Sequence, residues 1–179
     1  SASPTRTIDN FGTIEWLSGQ IHSSDPLKIH NRPDALFDIR SDRHVGLNAH
    51  GRILINEGTL RKSAVGGTSE IAMLLQNTGS VEVQTGTLAV LGRGGFSTGD
   101  LIFDAGTTLE FRNSVAPSEF TISLDDGGSL VGDGRLLVTG GDGVFIEGDG
   151  QMDVAMVQTI GSGELYLNRD ASIPEVLIS

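Results

Sequence analysis

The chain has 179 residues, of which 25 are glycine and none is cysteine, and its formal net charge is −11. Its 12 lysines and arginines are scattered, with Arg61-Lys62 as the only adjacent pair, so it lacks the basic stripe that neutralises nucleic-acid phosphates. No apolar run approaches the ~18 residues that a membrane-spanning helix needs. The composition therefore argues against a nucleic-acid partner and a membrane span, and is typical of a β protein with glycine at its corners.

A turn motif recurs along the chain about every twenty-one residues. It consists of a polar residue, any residue, glycine, and then a β-branched or aliphatic pair. In chain order, its copies are Asn10-Phe11-Gly12, Asn31 with Pro33 in place of glycine, Asn56-Glu57-Gly58, Asn77-Thr78-Gly79, Asp104-Ala105-Gly106, Asp126-Gly127-Gly128, Gly148-Asp149-Gly150, and Asn168 with Ala171 in place of glycine. A fixed period of this length indicates a solenoid, in which each coil buries its apolar residues against its neighbours.

Short alternating stretches follow these turns and predict β-strands. In chain order they cover residues 13–17, 36–39, 81–83, 101–103, 108–111 and 136–138. Each is bounded by Gly, Asn, Asp or Ser, as strands between tight turns are. A second glycine often opens another strand six or seven residues after the first, so we expect two or three strands in each coil. No helical periodicity is sustained for more than about two turns.

These elements predict an all-β fold, a single-stranded parallel β-helix of about eight coils of roughly 21 residues each. Its apolar rows place Leu60, Val81, Leu109 and Leu130 inside. The alternative is a β-sandwich with regularly spaced hairpins, which favours two-residue Asn-Gly or Asp-Gly turns between its strands.

The repeated turn also predicts a structural ladder at one corner of the coil. The stacked side-chain amides are those of Asn10, Asn31, Asn56 and Asn77, which are expected to bond the backbone of the turn. The glycines of the same corner are Gly12, Gly58, Gly79, Gly106, Gly128 and Gly150. We expect glycine at these positions because the corner demands a positive φ.

The repeats resemble those of bacterial secreted and cell-surface proteins of the pectate-lyase-like, right-handed β-helix type. The resemblance is carried by Asn56-Glu57-Gly58-Thr59-Leu60 and Asn77-Thr78-Gly79-Ser80-Val81, and it continues through residues 105–111 and 128–136. It covers most of the chain and implies a right-handed, elongated segment like an autotransporter passenger or adhesin. Such repeats occur in proteins of unrelated function, so a role inferred in this way is an analogy.

Residues 1–179 are predicted to be one β-helix domain, interpreted as a segment of a longer chain. The stretch 22–51 is the least repetitive and contains all four histidines, His22, His30, His44 and His50. We expect it to carry a longer loop projecting from the coil, where a rigid scaffold often places binding residues.

The candidate chemical motifs each lack a part that their chemistry needs. The histidines have no short metal-ligand spacing such as His-x-x-x-His. Asp125-Asp126 lacks the Gly-His-Gly and Arg-x-Lys expected beside it in polysaccharide-cleaving β-helices, and it is interpreted as a turn pair. The stretch 140–146 has Phe145 where a calcium-binding nonapeptide needs Asp. The sequence therefore predicts no enzyme activity, no cofactor and no specific metal site.

Two aromatic residues are candidates for sugar stacking, Trp16 and Tyr166. Because Trp16 alternates with Ile14, it is expected to point inward. Three functional classes stay open. They are a non-catalytic structural or adhesive segment of a secreted or cell-surface protein, a carbohydrate-binding or carbohydrate-active module, and a self-assembling fibre subunit that uses uncapped strand edges. The expected partners are correspondingly a further copy or neighbouring repeats, or a surface glycan or protein.

Overall fold

The computed structural model describes residues 4–21, 23–45, 51–91, 94–113, 119–125, 127–140, 143–169 and 173–178. The regular secondary structure in these ranges is entirely β. The strands are β1 (Arg6–Asn10), β2 (Thr13–Trp16), β3 (Leu27–Asn31), β4 (Leu36–Ile39), β5 (His44–Val45), β6 (Arg52–Asn56), β7 (Thr59–Lys62), β8 (Thr68–Ile71), β9 (Leu74–Asn77), β10 (Ser80–Val83), β11 (Thr87–Val90), β12 (Gly95–Ser97), β13 (Asp100–Phe103), β14 (Thr108–Asn113), β15 (Phe120–Ser123), β16 (Ser129–Gly140), β17 (Gly143–Glu147), β18 (Gln151–Ile160), β19 (Glu164–Asn168) and β20 (Glu175–Ile178).

All pairings between these strands are parallel, and they join each strand to its equivalent one coil away. The first sheet has the order β1-β3-β6-β9-β12-β15-β17-β19. The second sheet holds two columns of strands, β2-β4-β7-β10-β13 and β5-β8-β11-β14, which are joined because the long strands β16 and β18 run through the corner between them. The result is a parallel β-solenoid of about seven turns, which confirms the predicted fold class.

The core lies inside this coil and consists of side chains stacked in register. Leu60 pairs with Val81, and Val81 pairs with Leu101 in the next coil, so one apolar row runs along the molecule. Leu60, Val81, Leu109 and Leu130 are all fully buried, as the alternation in their strands predicts. Burying one such side chain stabilises the fold by roughly 1.5–3 kcal/mol. Trp16 is 5% exposed and lies in the same core, which confirms its predicted inward direction.

The described part of the stretch 22–51 forms strands of the coil. Strand β3 pairs with β1 and β6, and β4 pairs with β2 and β7, all in continuous register. Residue 22 and residues 46–50 lie outside the described residues, and the prediction of a projecting loop is not tested there. In the part of the chain that the structure describes, no helix has the length and apolar character to cross a membrane.

Candidate functional site

The predicted asparagine ladder lies at the end of the first sheet, where each strand turns toward the second sheet. The side-chain Nδ2 of Asn10 donates to Oδ1 of Asn31 at 2.7 Å, Asn31 donates to Asn56 at 2.8 Å, and Asn56 donates to Asn77 at 2.7 Å. Asn77 then donates to Oγ of Ser97 at 2.9 Å. All five side chains are buried. Because successive hydrogen bonds polarise one another in a low-dielectric interior, such a row is stabilised cooperatively.

The same amides also hold the corner of the coil. A second hydrogen of Nδ2 reaches the backbone carbonyl at the start of the second-sheet strand of the next coil. The acceptors are Leu36 for Asn10, Thr59 for Asn31 and Ser80 for Asn56, each at 2.9 Å. An amide nitrogen carries two donors, and here both have acceptors. The ladder therefore joins each coil to the next, both within the first sheet and across the corner to the second sheet.

Four glycines at this corner are required by close packing, and the expectation of a positive φ is wrong for them. They are Gly58, Gly79, Gly128 and Gly150. Gly58 and Gly79 do not have positive φ values. A Cβ on Gly79 would lie 2.1 Å from the carbonyl oxygen of Gly58, and a Cβ on Gly99 would lie 2.0 Å from that of Gly79. Gly128 and Gly150 are crowded in the same way, at 2.5 and 2.2 Å from backbone carbonyls below. Each glycine lets the coil above approach the coil below.

Two positions in the sequence-based ladder are placed differently by the structure. Gly106 lies in another corner, between β13 and β14, where its φ is +76° and Gly86 with φ +60° is its neighbour below. Gly99 occupies the ladder corner of this coil, where the sequence predicts Gly106. In the second coil the equivalent residue is Ala35, not Pro33, because Thr59 N donates to its carbonyl. Ala171 lies outside the described ranges.

The histidines that the structure describes belong to separate ionic clusters. His30 is 6% exposed and lies between two carboxylates, with Nε2 2.7 Å from Oε2 of Glu57 and Nδ1 3.8 Å from Oδ1 of Asp9. Asp9 also accepts from Arg32 at 2.6 Å, and the guanidinium of Arg32 lies 5.4 Å from the ring centre of Phe11. This cluster links strands of the first three coils on the outer face of the first sheet. His22 and His50 lie outside the described residues.

His44 belongs to a second cluster, on the outer face of the second sheet. Its Nδ1 lies 2.8 Å from Glu70, Glu70 accepts from Arg112 at 3.2 Å, and Arg112 donates twice to Glu110, each time at 2.9 Å. Thr139 Oγ1 donates to the same Glu110 at 2.9 Å. The hydrogen bond to Glu110 raises the pKa of Arg112 above its usual value. All four carboxylate oxygens of Glu70 and Glu110 have hydrogen-bond partners. The network therefore connects residues from four coils.

A buried lysine is the main feature that the sequence analysis missed. Lys62 occupies an inward position in β7 and is 0% exposed. Its Nζ donates to Oδ1 of Asp42 at 3.0 Å and to the carbonyls of Ala64 and Val65 at 3.2 Å each. Its three donors are therefore satisfied, as a buried charge requires. The sequence does indicate its inward position, because Lys62 lies two residues after the inward Leu60 and such residues share one face of a strand.

The remaining predicted candidates have structural contacts. Asp125 Oδ1 accepts from the backbone nitrogen of Asp149 at 3.2 Å, so this carboxylate bonds the turn of the next coil. Asp126 lies outside the described residues. Phe145 lies in β17 and stacks on Tyr166. Among the residues that the structure describes, no group of three or more His, Asp or Glu side chains is arranged to hold a metal ion.

No family model matches the chain, and neither a curated protein nor a solved structure matches it. Its function is therefore inferred from its own contacts.

Proposed function

We propose that the chain is a non-catalytic structural or adhesive segment of an extracellular or cell-surface bacterial protein. The observation that carries the proposal is the continuity of the stack. The asparagine ladder and the apolar rows run from coil to coil, and the carboxylates of Glu70 and Glu110 are bonded within a network that joins coils. A general acid or base needs a carboxylate or imidazole that faces a substrate. The described charged clusters instead bond one coil of the solenoid to another.

A carbohydrate-binding or carbohydrate-active module is less well supported. Sugar stacking needs an open aromatic face. The rings of Phe145 and Tyr166 lie 4.5 Å apart at an angle of 6°, so each covers one face of the other and only the opposite face of each ring is left for a ligand. The net charge of −11 also repels an acidic polysaccharide unless a calcium ion bridges the two.

A fibre of end-to-end copies is also less well supported, because the two end strands of the first sheet differ at the ladder position. Strand β1 has Asn10 there, and β19 has Leu167, which pairs with Ile146. If β19 of one copy stacked on β1 of another, Leu167 would offer no amide to Oδ1 of Asn10. The apolar row that follows Ser97 would therefore meet Asn10 at the junction, and no ladder hydrogen bond would join the two copies.

The non-catalytic role is tested with polygalacturonate, alginate and related acidic glycans, incubated with the protein in the presence and absence of calcium. We expect no release of unsaturated products or reducing ends. Turnover that Asp126→Asn abolishes would contradict the proposal, since it would give that carboxylate a catalytic role. Turnover that the substitution leaves unchanged would also contradict it, and would place the site elsewhere.

A further inference from the structure

The outer face of the first sheet carries a row of aromatic side chains in its carboxyl-terminal half. One outward row runs through Phe96, Thr121, Phe145 and Tyr166, which are paired in register on β12, β15, β17 and β19. The first three side chains are half-buried, and Tyr166 is 42% exposed. Three of four successive coils thus present an aromatic ring on one face. Phe145 and Tyr166 are adjacent and stacked, and Phe96 lies in the same row beyond Thr121. Singly scattered exposed aromatic residues need no explanation, but such a patch is typical of an interaction surface.

The sheet beneath the rings is shaped to hold them. Gly143 lies in β17 next to this row, and a Cβ there would lie 2.6 Å from Cε2 of Tyr166 and 3.2 Å from Cε2 of Phe145. The tyrosine ring therefore leans over the strand at a position where a side chain would displace it. The phenol hydroxyl donates to the carboxylate of Glu164 on the same strand. Both contacts fix the ring before any partner arrives, and this lowers the entropic cost of binding.

The charged residues within the described strands of this row, Glu147 in β17 and Glu164 in β19, are both acidic. Glu119 and Glu164 are exposed, and each lies two residues from a member of the row, so they share its face. The four strands β12, β15, β17 and β19 contain no lysine or arginine. The amino-terminal half of the same face differs, because Arg32 and His30 there are paired with Asp9 and Glu57. The four strands of the carboxyl-terminal half thus supply no arginine or lysine partner to these carboxylates.

We propose that this aromatic face, consisting of Phe96, Glu119, Phe145, Glu164 and Tyr166, docks a positively charged segment of a partner protein through its arginine and lysine side chains. Aromatic rings attract cations through their quadrupole, and carboxylates accept charge-assisted hydrogen bonds from the same groups. Arginine fits both features, since its planar guanidinium stacks on rings and binds carboxylates with two parallel bonds. The net charge of −11 steers such a segment toward the protein. The proposal rests on the adhesive role and names the chemistry of the partner.

The test uses a fluorescently labelled hexa-arginine peptide, with anisotropy measured at low ionic strength on the whole chain. The double variant Glu119→Gln with Glu164→Gln should weaken binding about tenfold or more, because two charge-assisted contacts are lost. Tyr166→Ala should weaken it by about two- to fivefold. The matched control is Glu82→Gln with Asp153→Asn, which removes the same charge from the outer face of the second sheet and should change binding less than twofold. Circular dichroism checks that each variant is folded.

Three outcomes would overturn the proposal. The first is no binding of hexa-arginine by the unchanged protein. The second is an equal loss in both double variants, which would mean attraction to net charge alone. The third is a preference for a neutral glycan, probed with cellohexaose, which would make the face a sugar site. Because none of these measurements reports on turnover, the docking proposal can fail while the non-catalytic role stands, and glycan cleavage can refute that role independently.

Discussion

The glycine row beside the asparagine ladder predicts opposite effects for the same substitution at two equivalent sites. Gly12 and Gly79 both follow a ladder asparagine by two residues, and neither has a positive φ. A Cβ on Gly12 would meet nothing within 4 Å, because its coil is the first one described. A Cβ on Gly79 would lie 2.1 Å from the carbonyl oxygen of Gly58, which accepts a hydrogen bond from Ser80 at 2.8 Å. The difference between the sites is therefore the coil below.

The expected magnitudes follow from two opposing effects. Replacing glycine by alanine at a compatible φ stabilises a protein by about 0.4–1 kcal/mol, because the unfolded chain loses freedom. Forcing a methyl group into a closed contact costs about 1–3 kcal/mol, and a weakened backbone hydrogen bond adds about 0.5–1.5 kcal/mol. Gly12→Ala should therefore leave the free energy of unfolding unchanged or raise it slightly. Gly79→Ala should lower it by about 0.5–4 kcal/mol, which is the two costs less the gain.

Urea unfolding followed by circular dichroism, with the fluorescence of the single tryptophan as a second probe, measures both variants. Agreement between the probes shows whether one transition describes the whole solenoid. If the Gly79→Ala variant is as stable as the Gly12→Ala variant, the reasoning is refuted. That result would mean that the coils of Gly58 and Gly79 do not lie as close together as the 2.1 Å distance implies. Equal destabilisation of both variants would instead point to a requirement of the local backbone at this corner.

The remaining predictions concern the ladder, the core and the single tyrosine. Asn56→Leu should lower the free energy of unfolding by about 1–3 kcal/mol for each of the two neighbouring amide groups that it leaves unpaired, and hydrogen exchange should show the loss at that corner; unchanged protection would contradict the ladder. Leu109→Asp should prevent folding because it buries an unpaired charge, whereas Ile102→Asp on the outer face should fold; a soluble, cooperatively unfolding Leu109→Asp protein would show that the inward face is wrong. The hydrogen bond to Glu164 raises the pKa of Tyr166 above its ordinary value, so the stability from this bond is present below pH ~10 and is lost as the pH rises through the raised pKa. Absorbance at 295 nm follows the ionisation of Tyr166, the single tyrosine of the chain. Glu164→Gln should move the midpoint of this ionisation to lower pH, and an unchanged midpoint would refute the contact.

The repeated turn was enough to predict the class of fold and the inward rows, because both follow from local alternation and a fixed period. It was not enough to assign every turn to its corner. Gly106 and Gly79 follow similar polar residues, yet Gly106 lies in the corner where φ is positive and Gly79 in the corner where the coils are close. The distance to a carbonyl one coil away depends on how the coils stack, and a single repeat does not encode it.

The sequence also did not predict that the asparagine ladder gives way to an apolar row. After Ser97 the equivalent positions are Ile122 and Ile146, both fully buried. Asparagine side chains fill this buried corner by hydrogen-bonding one another, and isoleucine side chains fill it by packing on one another. The repeat therefore accepts either type, provided that adjacent residues in the row are of the same type. Lys62 was missed because a lysine is rarely fully buried unless it is paired, and its partner Asp42 lies on a preceding turn. Such partners become visible only when the register is known.

The central claim is that the coils stack in register along one axis, and spin-label distances test it most directly. The outward row Glu15, Asp38, Arg61, Glu82, Ile102, Val131, Asp153 is paired strand by strand. The chain has no cysteine, so two introduced cysteines carry the labels uniquely. At ~4.8 Å per strand, labels at 15 and 153 should be separated by about 29 Å and labels at 15 and 131 by about 24 Å. Two distances that differ by one strand spacing are the predicted result. Equal distances, or a separation of Glu15 and Asp153 below about 20 Å, would contradict the parallel stack.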